Sequence, residues 1–219
     1  MKVFFAEVSY ENKVKLPRKL IGKLPKNIAL FTTAQYLSQL YSWKKQLEKA
    51  KKHVILLETK HTETPGQILG CNTEEFIADF DAFLFVGDGV FHPQALILKN
   101  NKEVFTYNPS TKIDSKLTKE DVETIRKKVI GAKTKFLSST EIGVIVTTKP
   151  GQTKLEKALE LKKRFPDKNF YFLIANNINP SEFENFPFIE MFVNTACERI
   201  AYDDQSKFRK PVLNLEDID

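Results

Sequence analysis

With 219 residues, 42% hydrophobic and 28% charged, and with 10 Pro and 8 Gly, the chain is sized for one large or two small globular domains, which excludes a disordered, collagen-like or low-complexity protein. Its net charge of +6 is uneven, because residues 1–60 hold 13 Lys or Arg against 4 Asp or Glu; this reads as a solvated lysine-rich surface, and the lack of aromatics interleaved with arginines argues against a direct nucleic-acid partner. No apolar run nears the roughly 20 residues of a membrane helix, the opening MKVFFAEVSYEN turns polar early for a signal peptide, and Cys71 and Cys197 are too few for a disulfide framework, so a reducing, cytoplasmic setting is expected.

Asn27 to Thr33, NIALFTT, is a short apolar run that reads as a buried strand. Ala34 to Lys52 follows as a helix, with Tyr36, Leu40, Trp43, Leu47 and Ala50 at intervals of three or four, and His53 to Leu57 is the next strand. Beyond Pro65 and Gly66, a short helix is expected with Thr73 as its N-cap ahead of Glu74 and Glu75. Ala82 to Val86, AFLFV, is a third strand closed by Gly87-Asp88-Gly89, and Leu96–Lys99 and Val104–Tyr107 read as a strand pair around Asn100-Asn101. Thr118 to Ile130 is expected to be helical, with Gly131 as its C-cap.

The second half repeats this grammar. GVIVTT at 143–148 answers IALFTT, a helix over Lys154–Arg164 answers the first long helix, and NFYFLIA at 169–175 answers HVILL. A capping box at Ser181-Glu182-Phe183-Glu184 answers Thr73-Glu74-Glu75-Phe76, and IEMFV at 189–193 answers AFLFV. Five correspondences in one order point to an internal duplication. The expected fold is α/β with mainly parallel sheets, in two tandem units over residues 1–135 and 136–219.

Ligands of such sheets gather at the carboxyl ends of the strands. Those ends are Thr32-Thr33, the loop to Cys71, Gly87-Asp88-Gly89, Thr147-Thr148 and Asn194 to Cys197. Each cysteine sits at such an edge, in non-equivalent places of the two repeats. Small buried hydrophobes and functional thiols stand side by side as readings, and without a CxxC the spacing carries no metal signal. Gly87-Asp88-Gly89 lacks the rest of a dinucleotide fingerprint and reads equally as a strand-ending turn. His92 is the histidine at a predicted sheet edge, whereas His53 opens a strand and His61 lies in a charged loop.

The wording of several segments is more specific. GQILGC at 66–71, FVGDGVFHP at 85–93, KPGQ at 149–152, NTACERIAYDD at 194–204 and KPVLNLED at 210–217 resemble, in order and separation, the diphthamide synthase family, the 2-(3-amino-3-carboxypropyl)histidine synthases. The resemblance implies three similar α/β domains that each give one cysteine to a central 4Fe–4S cluster. It implies that S-adenosylmethionine bound at the cluster is cleaved on its aminocarboxypropyl side, and that this group is transferred to a histidine of translation elongation factor 2.

By that resemblance, Cys71 and Cys197 are cluster ligands, which suits soft thiolates. Gln67, Gly87, Asp88, Gly89, Gln152 and Arg199 are then candidates for binding S-adenosylmethionine, each with loop architecture as its other role. The family's first domain, with its cysteine, is missing from the resemblance, and Glu198 stands where the family has proline. The expected protein is therefore the C-terminal part of the transferase, working in a dimeric assembly with a separate chain that supplies the first domain and third cysteine. The alternative is a non-catalytic accessory subunit of such an enzyme.

Overall fold

Nine strands, most of them apolar runs rich in β-branched and aromatic residues, form in a computed structural model of the chain, which describes residues 8–218. The strands fall into two compact units, one ending at Val122 and the other beginning at Glu123.

In the first unit, α1 (Arg18–Lys23) leads into β1 (Asn27–Thr32), a 3-10 turn over Ala34–Gln39, α2 (Leu40–Lys49) and β2 (His53–Ile55). Then come β3 (Ala82–Val86), α3 (Phe91–Leu98), β4 (Val104–Asn108) and β5 (Ile113–Leu117). The sheet order is β2-β1-β3-β4-β5, parallel except for the last pair. β3 is buried along its whole length and β1 from Ile28 onward, as a parallel strand covered on both faces requires. Tyr36, Leu40, Trp43 and Leu47 pack on Ile28, Leu30, Leu84 and Val86 in one core cluster. Two glutamines of this region hold the incoming segment. Gln39 accepts from the Val14 N–H at 2.7 Å, and Gln46 both accepts from and donates to the backbone of Leu16.

In the second unit, α4 (Glu123–Ser138) precedes β6 (Glu141–Thr147), α5 (Leu155–Arg164), β7 (Asn169–Ala175), β8 (Met191–Asn194), α6 (Arg199–Asp203) and β9 (Val212–Asn214). The order β7-β6-β8-β9 is wholly parallel and repeats the β2-β1-β3-β4 arrangement of the first unit. The α/β class with mainly parallel sheets is thus the observed one. Ile142, Val144 and Val146 face one core cluster with Phe136 and Leu161, while Ile145 faces another with Phe183, Phe192 and Phe208. This is the period of two in β6.

Four local expectations fail, each for a physical reason. Leu96–Lys99 is not a strand, because Leu96 to Leu98 belong to α3 and Lys99 is its C-cap; a short helix buried all round has no telling period, and Pro93 lies in its first turn, where a missing N–H costs nothing. Residues 73–80 form no helix. The Asn100 side chain accepts from the Phe76 N–H at 2.9 Å and donates to the Glu74 carbonyl at 3.0 Å, so it takes the backbone groups that a helix would pair internally.

The helix expected to stop before Gly131 runs on to Ser138, since Ala132 and Phe136 continue its buried face. The expected Ser181 capping box is instead a 3-10 turn over Pro180–Asn185, capped by Asn179, whose Oδ1 accepts from the Ser181 N–H. The strand β5 carried no apolar signal and went unread. It pairs with β4 across a hairpin in which Lys112 takes φ +60°.

Two outcomes follow for stability. A Cβ at Gly143 would lie 2.5 Å from Phe192 Cδ1 and 3.0 Å from Ile189 Cδ1, so Gly143→Ala should destabilise the second unit by about 1–3 kcal/mol in a urea titration. The Glu190 carboxylate accepts from the N–H groups of Thr140 and Glu141 at 2.6 and 2.9 Å. These bonds, that of Glu141 first, hold its pKa below the ordinary glutamate range. A depressed folded pKa stabilises above the unfolded value, and the gain is lost as pH falls through the folded one. Glu190→Gln should therefore lower Tm at neutral pH and match the unaltered chain in acid below that range.

Candidate functional site

The carboxyl edge of the first sheet is organised around Thr32. Its hydroxyl donates to the Val86 carbonyl at 2.6 Å, tying β1 to β3, while its N–H and C=O pair with Gly66 O and Ile68 N at 2.8 and 2.9 Å. The GQILGC segment is thus drawn along the end of β1 as a one-residue extension of the sheet at Gln67. Gly66 makes this approach possible. It has φ +85°, and a Cβ there would meet Leu30 O at 3.1 Å and Leu40 Cδ2 at 2.9 Å.

Cys71 lies half-buried in the turn that follows. Asn72, 2% exposed, accepts from the Leu69 N–H at 2.7 Å and donates to the Lys60 carbonyl at 2.6 Å, so the thiol-bearing turn is bolted to the start of its own loop. The Thr59 hydroxyl donates to the Gln67 carbonyl at 3.0 Å. The backbone of Gln67 therefore shapes the loop.

The Gly87-Asp88-Gly89 turn continues β3. Gly87 donates its N–H to the Tyr107 carbonyl at 3.0 Å, and Gly89 takes φ +70° with open space where a Cβ would stand. Asp88 Oδ2 accepts from Gln35 Nε2 at 2.9 Å and from the Tyr36 hydroxyl at 2.7 Å, which locks the carboxylate in place. Its Oδ1 and the neighbouring Thr33 Oγ1 are both buried and have no hydrogen-bond partner among the described residues. His92, in the first turn of α3, stacks on Phe85 at 6.1 Å and 9°.

In the second unit the corresponding edge is built by two asparagines. Asn194 ends β8 and Asn214 ends β9, at 1% and 0% exposure. Asn194 Nδ2 donates to Cys197 O at 2.9 Å and to Asn214 Oδ1 at 2.8 Å, and Asn214 Nδ2 donates to Glu198 O at 3.1 Å. Thr195 places both its hydroxyl and its N–H on Ile145 O, which joins the turn to β6. Two consecutive carbonyls around Cys197 are thereby fixed, and the thiol is half-buried. Neither cysteine is in a disulfide.

Around this turn the charges are paired. Arg199, 4% exposed, donates from Nε to Asp203 Oδ2 at 2.6 Å. Lys154 Nζ lies 2.6 Å from Glu216 Oε1 and 3.5 Å from Glu198 Oε1. Burial alone would lower the Lys154 pKa, but the hydrogen bond and charge of Glu216 and the charge of Glu198 lift it above the ordinary lysine value. Tyr202 is pushed well up by burial and then by Asp217, which accepts its hydroxyl at 2.7 Å. Gln152 is exposed in the turn after β6, where Gly151 takes φ +77°.

The candidate residues therefore fall at two strand edges: Gln67, Cys71, Gly87, Asp88 and Gly89 at one, Gln152, Cys197 and Arg199 at the other. Asn72, Asn194, Asn214 and Lys154, which hold those edges, escaped the sequence reading. Asn194 and Asn214 stand inside the quoted motifs and Asn72 directly after one, whereas Lys154 carries no mark among so many lysines.

Over residues 1–219 the chain matches the family described as "Putative diphthamide synthesis protein". The 2-(3-amino-3-carboxypropyl)histidine synthase of Pyrococcus horikoshii is 33% identical over 218 residues, covering 98% of this chain and 63% of that protein. The protein of the same name from Methanocaldococcus jannaschii is 35% identical over 158 residues, covering 70% of this chain and 45% of that protein. The crystal structure of Dph2 from Pyrococcus horikoshii with a 4Fe-4S cluster superposes with a TM-score of 0.76 at 32% identity, over 90% of this chain and 57% of that one. The chain spans less than two thirds of the length of these relatives. It belongs to the diphthamide synthesis protein family.

Proposed function

We propose that the chain is the part of a 3-amino-3-carboxypropyl transferase that supplies two cysteine ligands of a 4Fe–4S cluster and binding groups for S-adenosylmethionine, with a histidine of translation elongation factor 2 as acceptor. The observation that carries this reading is the placement of one half-buried thiol at the strand-end edge of each repeat, in a family with a relative crystallised with such a cluster. Soft thiolates on shaped, largely buried loops fit an iron–sulfur group. Such a cluster, when bound, supplies the single electron that opens the sulfonium toward its aminocarboxypropyl carbon.

The chain's own residues bind and orient. Asp88, with Oδ2 anchored by Gln35 and Tyr36 and a buried Oδ1 still open as an acceptor, suits a ribose hydroxyl, and the Gly87 and Gly89 backbone lets that nucleoside approach. Gln67 and Gln152 stand on the two loops, where their amides can bond the substrate, and Arg199, turned onto Asp203, serves the methionine carboxylate or the turn around it. Among the described residues no three His, Cys, Asp or Glu side chains are grouped to hold a metal. The sequence holds two cysteines, so the reading includes a further chain that brings the domain and third thiolate implied by the family resemblance, in a dimeric assembly. No described helix is long and apolar enough to cross a membrane.

Purified anaerobically from its source cells, the chain should come with that partner and about four irons per cluster. Cys71→Ala or Cys197→Ala should each bring the iron near background and remove the visible absorption of the cluster. Iron content that withstands both substitutions refutes the ligand assignment, and a complete three-cysteine paralogue as partner would make the chain an accessory subunit. Asp88→Asn should weaken S-adenosylmethionine binding about tenfold, as loss of a charged acceptor implies. An unchanged affinity in calorimetry removes Asp88 from the site.

A further inference from the structure

Lys154 is the first residue before α5, at the end of the KPGQ turn, yet its ammonium reaches across to two other segments. It lies on Glu198, next to Cys197, and on Glu216, in the segment that follows β9. All three side chains are mostly withdrawn from water, at 23%, 18% and 28% exposure. Glu216 Oε2 is buried with no hydrogen-bond partner among the described residues, and Lys154 on Oε1 balances the charge of that carboxylate. Two carboxylates this close would repel one another without the cation between them.

Glu198 also has a backbone that fits this role. Its φ is −58° and its ψ −27°, within the range that a proline ring would impose. The residue is held in that conformation by contacts: Asn214 on its carbonyl at 3.1 Å and Lys154 on its side chain at 3.5 Å. The carbonyl just before it, that of Cys197, is filled by Asn194 Nδ2 and the Ile200 N–H at 2.9 and 3.0 Å. The asparagines thus fix the carbonyls of the turn, and the lysine fixes the side chain that projects from it.

We infer that Lys154 is a positioning residue for Cys197, its ion pairs with Glu198 and Glu216 doing for this turn what a rigid ring would otherwise do. The role rests on the reading of Cys197 as a functional thiol, but the geometry it fixes exists without any cluster. Lys154 touches no reacting atom and acts only through the turn. Removing its charge frees Glu198 from Glu216 and lets the segment from Cys197 to Arg199 open locally, while the sheet and the first unit stay folded.

The test uses the metal-free full chain under reducing, anaerobic conditions, with iodoacetamide alkylation of each cysteine followed by peptide mass spectrometry. Lys154→Met should speed alkylation of Cys197 about fivefold, as expected when local opening becomes easier, and leave Cys71 as an unchanged internal control. Lys154→Arg, which keeps the charge, should stay near the original rate. Lys154→Met with Glu198→Pro should return toward it, because the ring replaces the lost ion pair and removes one of the two facing carboxylates.

The inference is overturned if Lys154→Met leaves the Cys197 rate unchanged or speeds both cysteines alike. It is also overturned if the double variant stays as fast as Lys154→Met. Circular dichroism melts of each variant show whether the second unit remains folded during the measurement. Iron and sulfide loading of the complex is scored separately with Cys197→Ala. If the cluster reading fails there, the alkylation rates still decide the role of Lys154.

Discussion

A parallel strand buried on both faces ends with backbone groups that its ladder no longer pairs, and both thiol-bearing segments lie where that need is met, by side chains or by the backbone of a passing loop. Thr32 meets it in the first unit by pairing with Val86, Gly66 and Ile68. Asn194 and Asn214 meet it in the second by closing on Cys197 and Glu198. Buried amides of this kind are costly unless filled. Here they are filled by the carbonyls of the loops that carry the thiols, so satisfying the strand ends and shaping the loops are one operation.

The two units solve this common problem with different residues. The repeated strand order β2-β1-β3-β4 and β7-β6-β8-β9 gives each the same set of edges. The thiol hangs from the loop after β2 in one and from the turn after β8 in the other. A duplicated framework can thus carry a thiol at different strand ends without any change to its core, because the core residues alternate along the strands and the thiols stand beyond their ends. The side chains that make this work are small polar groups with fixed geometry, and one long cation, Lys154, where three segments meet.

Much of this was legible in the sequence. The strands IALFT, AFLFV and GVIVTT announced themselves as apolar runs, the duplication as their repeated order, and the cysteine loops as wording shared with a known family. What escaped was decided by tertiary partners. Asn100 pulled residues 74–76 out of a helix, Ala132 and Phe136 carried α4 past a glycine, and α3 was too uniformly apolar to show a period. β5 was invisible because its residues, Ile113-Asp114-Ser115-Lys116-Leu117, are mostly solvent-facing, and its place comes from pairing with β4. In each case the local signal was weak and one specific contact settled the outcome.

The long connection over residues 56–81 has a consequence for how the chain moves. It contains no helix or regular strand and, beyond the main-chain bonds of Gly66 and Ile68 to Thr32, is held chiefly by the side-chain bonds of Thr59, Asn72 and Asn100. Bonds of that kind break one at a time, without melting β1 or β3. The turn around Cys197 hangs instead from asparagines set in the ends of two buried strands and is clamped by Lys154 through Glu198, so several anchors must let go together before it opens. The two thiols therefore belong to regions of unequal cooperativity: one can breathe with its loop, while the other opens only when its joint anchors are released.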